Sequence, residues 1–192
     1  SDGLPDAPIR VFGETHDGTL WMGTNGGGLV RYHPPTDTSA ARFSTLTTAN
    51  GLSSTLIRSL YEAPDHTLWI GTEDRGLIRL SQRDTVAVTT ADGLFANSIH
   101  QILPDDEGRL WMSSNQGLFW VSYDALQAVA DGEADHLFPT AYTEHHGLRS
   151  REANGGVHSA GTRTASGHLW FPSQAGVVRI DASRVRNGPR QH

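Results

Sequence analysis

Ten histidines and 21 acidic residues make metal ligation and acid–base chemistry the first possibilities to weigh. His145 and His146 are adjacent, so on a strand they point to opposite faces and chelate poorly together. No His-x-His or His-Glu-x-x-His pattern occurs, and no metal site is expected. Asp105-Asp106-Glu107-Gly108 has some look of a calcium loop but lacks the alternating oxygen ligands and the closing Glu, so it reads as a turn. Gly26-Gly27-Gly28 has neither a following helix nor a Lys to cradle phosphate, so it reads as a hairpin turn. Ser, His and Asp are plentiful, but a triad is defined by geometry, and no Gly-x-Ser-x-Gly elbow is present. No catalytic residue and no cofactor are therefore assigned. The best candidate for binding is a polar stretch holding Tyr142, Glu144, His146, Arg149, Arg151, Glu152 and Asn154. The plainer reading is that Glu152 and Asn154 cap turns and pair with Arg149 or Arg151.

The elements that would position such residues follow from composition. The chain has 192 residues, 21 of them Gly and five Trp, with hydrophobic residues at 36%. That mixture fits many short strands joined by tight turns. The net charge is −6, and no Lys/Arg run occurs, which argues against a nucleic-acid surface. Cysteine is absent, which removes disulfides and thiolate metal sites. No apolar stretch reaches the roughly 18 residues of a membrane span, so no direct membrane contact is expected of this chain. Ser1-Asp2-Gly3-Leu4 has the character of neither region of a signal peptide, and any targeting segment would lie outside the sequence.

An internal repeat dominates the sequence. Leu20-Trp21, Leu68-Trp69, Leu110-Trp111 and Leu169-Trp170 each follow a turn, and the Trp residues are 48, 42 and 59 positions apart. An aliphatic residue precedes each by 11 or 12 positions: Ile9, Ile57, Ile99 and Val157. A Gly-aliphatic pair follows: Gly28-Leu29, Gly76-Leu77, Gly117-Leu118 and Gly176-Val177. A Gly-Leu pair opens each unit: Gly3-Leu4, Gly51-Leu52, Gly93-Leu94 and Gly147-Leu148. Within a unit, Ile57–Tyr61, Leu68–Thr72, Gly76–Leu80 and Thr85–Thr89 read as four successive strands. Four antiparallel strands repeated at about 40–50 residues describe a β-propeller blade. The predicted class is all-β, with blades at approximately 3–50, 51–92, 93–146 and 147–183 and a tail over 184–192. Trp21, Trp69, Trp111 and Trp170 are read as blade-to-blade core rather than a stacking platform, because a large ring at a repeated strand position holds neighbouring sheets together. Trp120 falls outside the motif, in the third strand of blade three, and reads as core or helix contact. Residues 123–135 interrupt blade three and read as one short helix, with Tyr123, Leu126, Val129 and Ala130 at helical spacing.

Leu68-Trp69-Ile70-Gly71-Thr72 followed by Gly76-Leu77-Ile78-Arg79-Leu80 resembles the two-component regulator propeller repeat, as does Leu20–Thr24 with Gly27–Arg31. The stretch from His146-Gly147-Leu148 through Asn154 to Pro172 is similar to the last blade of such sensors, as is Tyr123–Gly132 before it. The resemblance implies a periplasmic or extracytoplasmic signal-input module of a bacterial two-component regulator, non-catalytic, in a family where some ligands are glycan fragments. It implies an immunoglobulin-like domain beginning where the chain stops, near 187–192. Family sensors carry more repeats than four, and the fourth unit here lacks an outer strand. The chain is therefore expected to form an open arc or part of a larger ring, completed by another copy or by further sequence; a closed four-bladed ring is the minority alternative. The leading function is ligand sensing. A protein–protein interaction or self-association scaffold is second, and a propeller glycan lyase or hydrolase is third.

Overall fold

The computed structural model describes residues 3–37, 39–146, 148–150, 152, 153, 155 and 159–185. Four antiparallel sheets follow one another in chain order. The first is β1 (Ile9–Glu14), β2 (Leu20–Thr24), β3 (Leu29–His33) and β4 (Arg42–Leu46). The second is β5 (Ile57–Glu62), β6 (Leu68–Thr72), β7 (Leu77–Leu80) and β8 (Thr85–Val88). The third is β9 (Gln101–Pro104), β10 (Arg109–Ser114), β11 (Gly117–Ser122) and β12 (Thr140–Tyr142). The fourth has three strands, β13 (Thr162–Arg163), β14 (His168–Ser173) and β15 (Gly176–Asp181). Each sheet is an up-and-down meander, so these are propeller blades. The repeated landmarks Gly147 and Val157 lie outside the described residues.

The Leu-Trp strand has two faces because successive side chains on a strand alternate. In blade two, Leu68 and Ile70 join Val11, Leu29 and Ile57 in the core shared with blade one. Trp69, between them, points the other way, into the core shared with blade three, beside Leu110, Met112 and Phe119. Blade three repeats the pattern: Trp111 enters a third core with Leu169 and Phe171 of blade four. Three interblade cores thus join four sheets, and among the described residues no core joins the first sheet to the fourth.

This alternation corrects the uniform reading of the four Trp as core. Trp69 and Trp111 are fully buried, whereas Trp21 and Trp170 are half-buried. Trp170 projects from the face of blade four opposite Leu169 and Phe171, where no described blade follows. Trp21 faces blade two beneath the Arg31 guanidinium, 5.6 Å from its ring, with no helix to cover it. Trp120 is buried beside Trp111.

The insertion folds as α1 (Tyr123–Ala130), capped by Ser122, with Leu126 and Ala130 buried. It lies against the blade two–three core and meets Trp69 edge-on through Tyr123. Buried Arg79 fixes the helix end, donating to the Ala130 carbonyl at 3.1 Å and pairing with Asp131 and Asp84. The Asp105–Gly108 segment is a turn organised by one carboxylate. Asp105 accepts the Glu107 and Arg109 backbone amides at Oδ1, and Arg109 Nε and the Trp111 indole at Oδ2. Arg109 in turn donates to the carbonyls of Ala182 and Val185 in blade four.

Truncation of the two kinds of Trp should separate in magnitude. Trp69→Ala should cost about 3–5 kcal/mol in urea unfolding, as for a buried aromatic. Trp170→Ala should cost about 1–2 kcal/mol, since only part of its surface is removed from water. Equal losses would show that the Trp170 face is packed as tightly as that of Trp69.

Candidate functional site

In blades one to three an aliphatic residue followed by a basic or imidazole side chain stands at or just before the start of the inner strand: Ile9-Arg10, Ile57-Arg58 and Ile99-His100. Four positions after each Leu-Trp tryptophan stands a second polar residue: Asn25, Glu73, Asn115 and Gln174. The hairpin brings the two series to one end of the blades, because Ile9 pairs with Thr24 and Ile57 with Thr72. In blades one and two the ladder slips at Arg10 and Arg58, which sit in β-bulges. A bulge re-aims the extra side chain out of the ladder. Arg58 Nε consequently reaches Glu73 Oε2 at 2.6 Å. Backbone bonds hold these turns against the following blade: Gly26 N–H donates to Thr55 O, and Gly76 N–H to Asn97 O.

Between blades two, three and four these residues border a polar cleft of about 280 Å³, lined by Arg58, Glu73, His100, Asn115, Glu152 and Gly155. Its floor is His100, only 5% exposed. The Ala153 carbonyl lies 3.1 Å from His100 Nδ1 and can only accept, so Nδ1 carries the proton. Nε2 then accepts from the Ser98 hydroxyl at 2.9 Å. Burial holds the imidazole below its ordinary pKa, against a smaller upward pull from the Ala153 carbonyl and Glu73, so the ring is neutral at pH 7. The loop of blade four lies directly on this ring. A β-carbon at Gly155 would come within 2.1 Å of His100 Cγ, a contact no side chain could occupy. The cleft can therefore offer an ion-paired Arg58–Glu73 couple, the Asn115 amide and the Glu152 carboxylate, above a neutral imidazole whose two nitrogens are already hydrogen-bonded. That set exchanges hydrogen bonds with a polar ligand and presents no concentrated charge.

Among the described residues, the polar stretch singled out in the sequence reaches this cleft only through Glu152. Glu152 borders it, exposed, with its backbone carbonyl accepting from Gln174 N–H. Tyr142 lies on the outermost strand of blade three, three strand spacings or about 14 Å from β9. It is half-buried, stacked on Trp111 at 5.8 Å, with the His146 ring edge-on at 6.0 Å. Glu144 and His146 belong to an exposed 3-10 helix over Glu144–His146, and Arg149 is exposed beyond it. Arg151 and Asn154 lie outside the described residues. The cleft residues missed in the sequence are Arg58, Glu73, His100 and Asn115. Their signal was present as a fixed offset from the repeat landmarks, but it alternates among Arg, His, Asn, Glu and Gln and so does not register as a motif.

With blades, cores and mouth established, the class is a β-propeller array. Residues 3–26, 51–74 and 93–116 each match the two-component regulator propeller repeat. No curated protein sequence matches it significantly. Among solved structures, it is similar to the extracellular domain of BT4673 from B. thetaiotaomicron, described as a one-component and as a hybrid two-component system. The overlap has a TM-score of 0.73 at 22% identity, over 94% of this chain and 25% of that one. It also resembles virginiamycin B lyase from Staphylococcus aureus, with a TM-score of 0.62 at 15% identity over 95% of this chain and 55% of the lyase. PorZ, a surface component of the type-IX secretion system of Porphyromonas gingivalis, overlaps with a TM-score of 0.60 at 15% identity, over 94% of this chain and 27% of PorZ. The chain thus spans about a quarter of the length of the BT4673 domain. At these identities the likeness establishes the propeller fold.

The buried neutral His100 makes stability depend on pH with a definite sign. In the unfolded chain it gains a proton as pH falls through about 6.5. The folded state resists that proton, so folding stability drops as pH falls below this value. Between pH 7.5 and 5.5 the wild type should lose more stability in urea than His100→Asn does. Equal losses would show that His100 is freely protonated in the fold.

Proposed function

We propose that this chain is part of an extracytoplasmic ligand-sensing propeller of a bacterial two-component regulator, and that it binds a neutral polar ligand, such as a glycan fragment, without turning it over. The observation that supports this most directly is the cleft crossing three blades. Arg58 neutralises Glu73, His100 is neutral, and Asn115 and Glu152 stand at the rim. Such a surface suits hydroxyl groups, each of which donates and accepts. A ligand bridging blades would bias how they sit against one another, which is the form a sensor signal takes. The repeat family and the extracellular two-component domain among its structural relatives favour this setting. Among the described residues, no helix is long and apolar enough to cross a membrane. The non-catalytic reading is supported by the engagement of Glu73 with Arg58 and of both His100 ring nitrogens with Ala153 and Ser98, which among the described residues leaves Glu152 without an acid–base partner in the cleft.

A second reading, an interaction scaffold, is favoured by the open face of blade four, where Trp170 is half-buried and Val177 is 64% exposed. In that case another copy or further blades would cover this face.

The test is a panel of neutral oligosaccharides screened by thermal shift and followed by calorimetry. For a ligand that binds, Asn115→Ala and Glu152→Ala should each weaken affinity about tenfold, roughly the value of one or two ligand hydrogen bonds. His146→Ala and Arg149→Ala should leave it unchanged. Loss of binding only in the second pair would move the site to the outer loop. Breakdown of the ligand would make the chain an enzyme, and dimerisation abolished by Val177→Asp without ligand binding would favour the scaffold.

A further inference from the structure

At the end of the blades opposite the polar cleft, three side chains from two blades meet. His16 lies in the turn between β1 and β2, Glu62 ends β5, and His66 lies in the turn between β5 and β6. Glu62 Oε1 is 2.6 Å from His16 Nδ1 and 3.6 Å from His66 Nδ1. The other carboxylate oxygen, Oε2, accepts the His16 backbone N–H at 2.7 Å, which fixes the orientation of the carboxylate. The two imidazoles stack with centroids 3.4 Å apart and planes 21° from parallel, so both turn the same edge toward Glu62. One ligand atom from each residue falls within 4.8 Å of the others.

An independent observation concerns the backbone. The equivalent turn position is Gly18 in blade one, Gly108 in blade three and Gly167 in blade four, all with φ between 72° and 80°. In blade two it is His66, with φ 66°, the one non-glycine residue with positive φ among the described residues. A left-handed conformation is disfavoured for any residue with a β-carbon, and the repeat elsewhere uses the residue without one. The turn alone gives no reason for His66. Strain of this kind is kept where a side chain is needed at that place.

We propose that His16, Glu62 and His66 form a binding site for a first-row divalent cation, zinc foremost, that staples blade one to blade two. Two imidazole nitrogens and one carboxylate oxygen are a zinc-type donor set with at least one position left for water. Calcium and magnesium favour all-oxygen shells and are not suited. Zinc with arms of about 2.1 Å sets tetrahedral ligand atoms about 3.4 Å apart, a value that the two measured separations bracket. Entry is open, since the side chains of His16 and His66 are 51% and 57% exposed. The backbone N–H bond to Glu62 Oε2 supplies the outer-shell support that metal-binding carboxylates commonly have. The site is missed in the sequence because its ligands come from two repeats, with His16 and Glu62 46 positions apart. It is also separate from the cleft: Arg58 and Glu62 stand at opposite ends of β5, about 13 Å apart.

The experiment is a titration of the full chain, stripped with EDTA, using zinc chloride in calorimetry and thermal unfolding, with magnesium and calcium as controls. Zinc should bind at one equivalent in the micromolar range or tighter and raise Tm, and the controls should not. His16→Ala should weaken zinc binding at least tenfold. His66→Gly is the decisive variant, because glycine suits the turn. Without metal it should unfold at the wild-type temperature or above, and with zinc it should show no rise. Cobalt should give a visible absorption band with wild type and none with His66→Gly. Absence of zinc binding in wild type, or unchanged zinc affinity in His66→Gly, would overturn the site. So would a metal-free His66→Gly that unfolds well below wild type while wild type ignores zinc, since His66 would then serve only to stack on His16.

Discussion

The structure depends on one constraint: a β-strand has two faces, and both faces of an inner blade must be buried. The Leu-Trp strand answers it by placing an aliphatic residue toward the preceding blade and an indole toward the following one. A single sheet with two apolar faces has no stable existence in water, so each blade depends on its neighbours, as in other repeat architectures. Blades two and three, covered on both sides, carry the fully buried Trp69 and Trp111. Blade four, covered on one described side, leaves Trp170 half out.

Among the described residues, the two buried guanidinium groups in these seams are each met by carboxylate and carbonyl oxygens. Arg79 and Arg109 are both buried; Arg79 spreads its guanidinium over the Asp84 and Asp131 carboxylates and the Ala130 carbonyl, and Arg109 over the Asp105 carboxylate and the Ala182 and Val185 carbonyls. Removal of one partner would leave the other charge buried and unpaired, so such groups fix the arrangement of the elements they join more than they add to stability. Arg79 ties α1 to blade two, and Arg109 ties blade three to blade four. The helix thereby becomes a lid on Trp69 with two further anchors, because Tyr123 and Gln127 both donate to Asp65 in the blade-two turn.

The same rigidity sets up the two ends of the array. At one end, bulged strand starts and the turns after the Leu-Trp strands present a repeated pair of polar side chains, and three blades contribute to one cleft. At the other, the turns after the inner strands bring His16, Glu62 and His66 together across the first seam. Both sites use positions the repeat leaves free: packing fixes Ile57 and Trp69 but not Arg58, Glu73 or His66. The repeat is thus a scaffold whose constant residues build seams and whose variable residues supply chemistry.

Strand positions, turns and the helical insertion were legible in the residues, because each is set by local periodicity and by Gly, Pro and Asp at fixed offsets. The strands read at Leu68–Thr72 and Thr85–Thr89 lie almost residue for residue where β6 and β8 stand. The match to the two-component regulator propeller repeat followed from the same local pattern. What faces what was not legible. Trp21, Trp69, Trp111 and Trp170 share one motif, yet their burial differs because it depends on what covers them: a blade and α1 over Trp69, a blade without a helix over Trp21, and no described blade over Trp170. The polar stretch near Tyr142 and Glu152 is continuous in sequence, but Tyr142 sits on the outer strand β12 of blade three while Glu152 borders the cleft with Arg58 and His100. Residues 46 positions apart became neighbours in the His16–Glu62 pair. Local spacing determined the blade; only the packing of one blade on the next decided which of its free side chains converge.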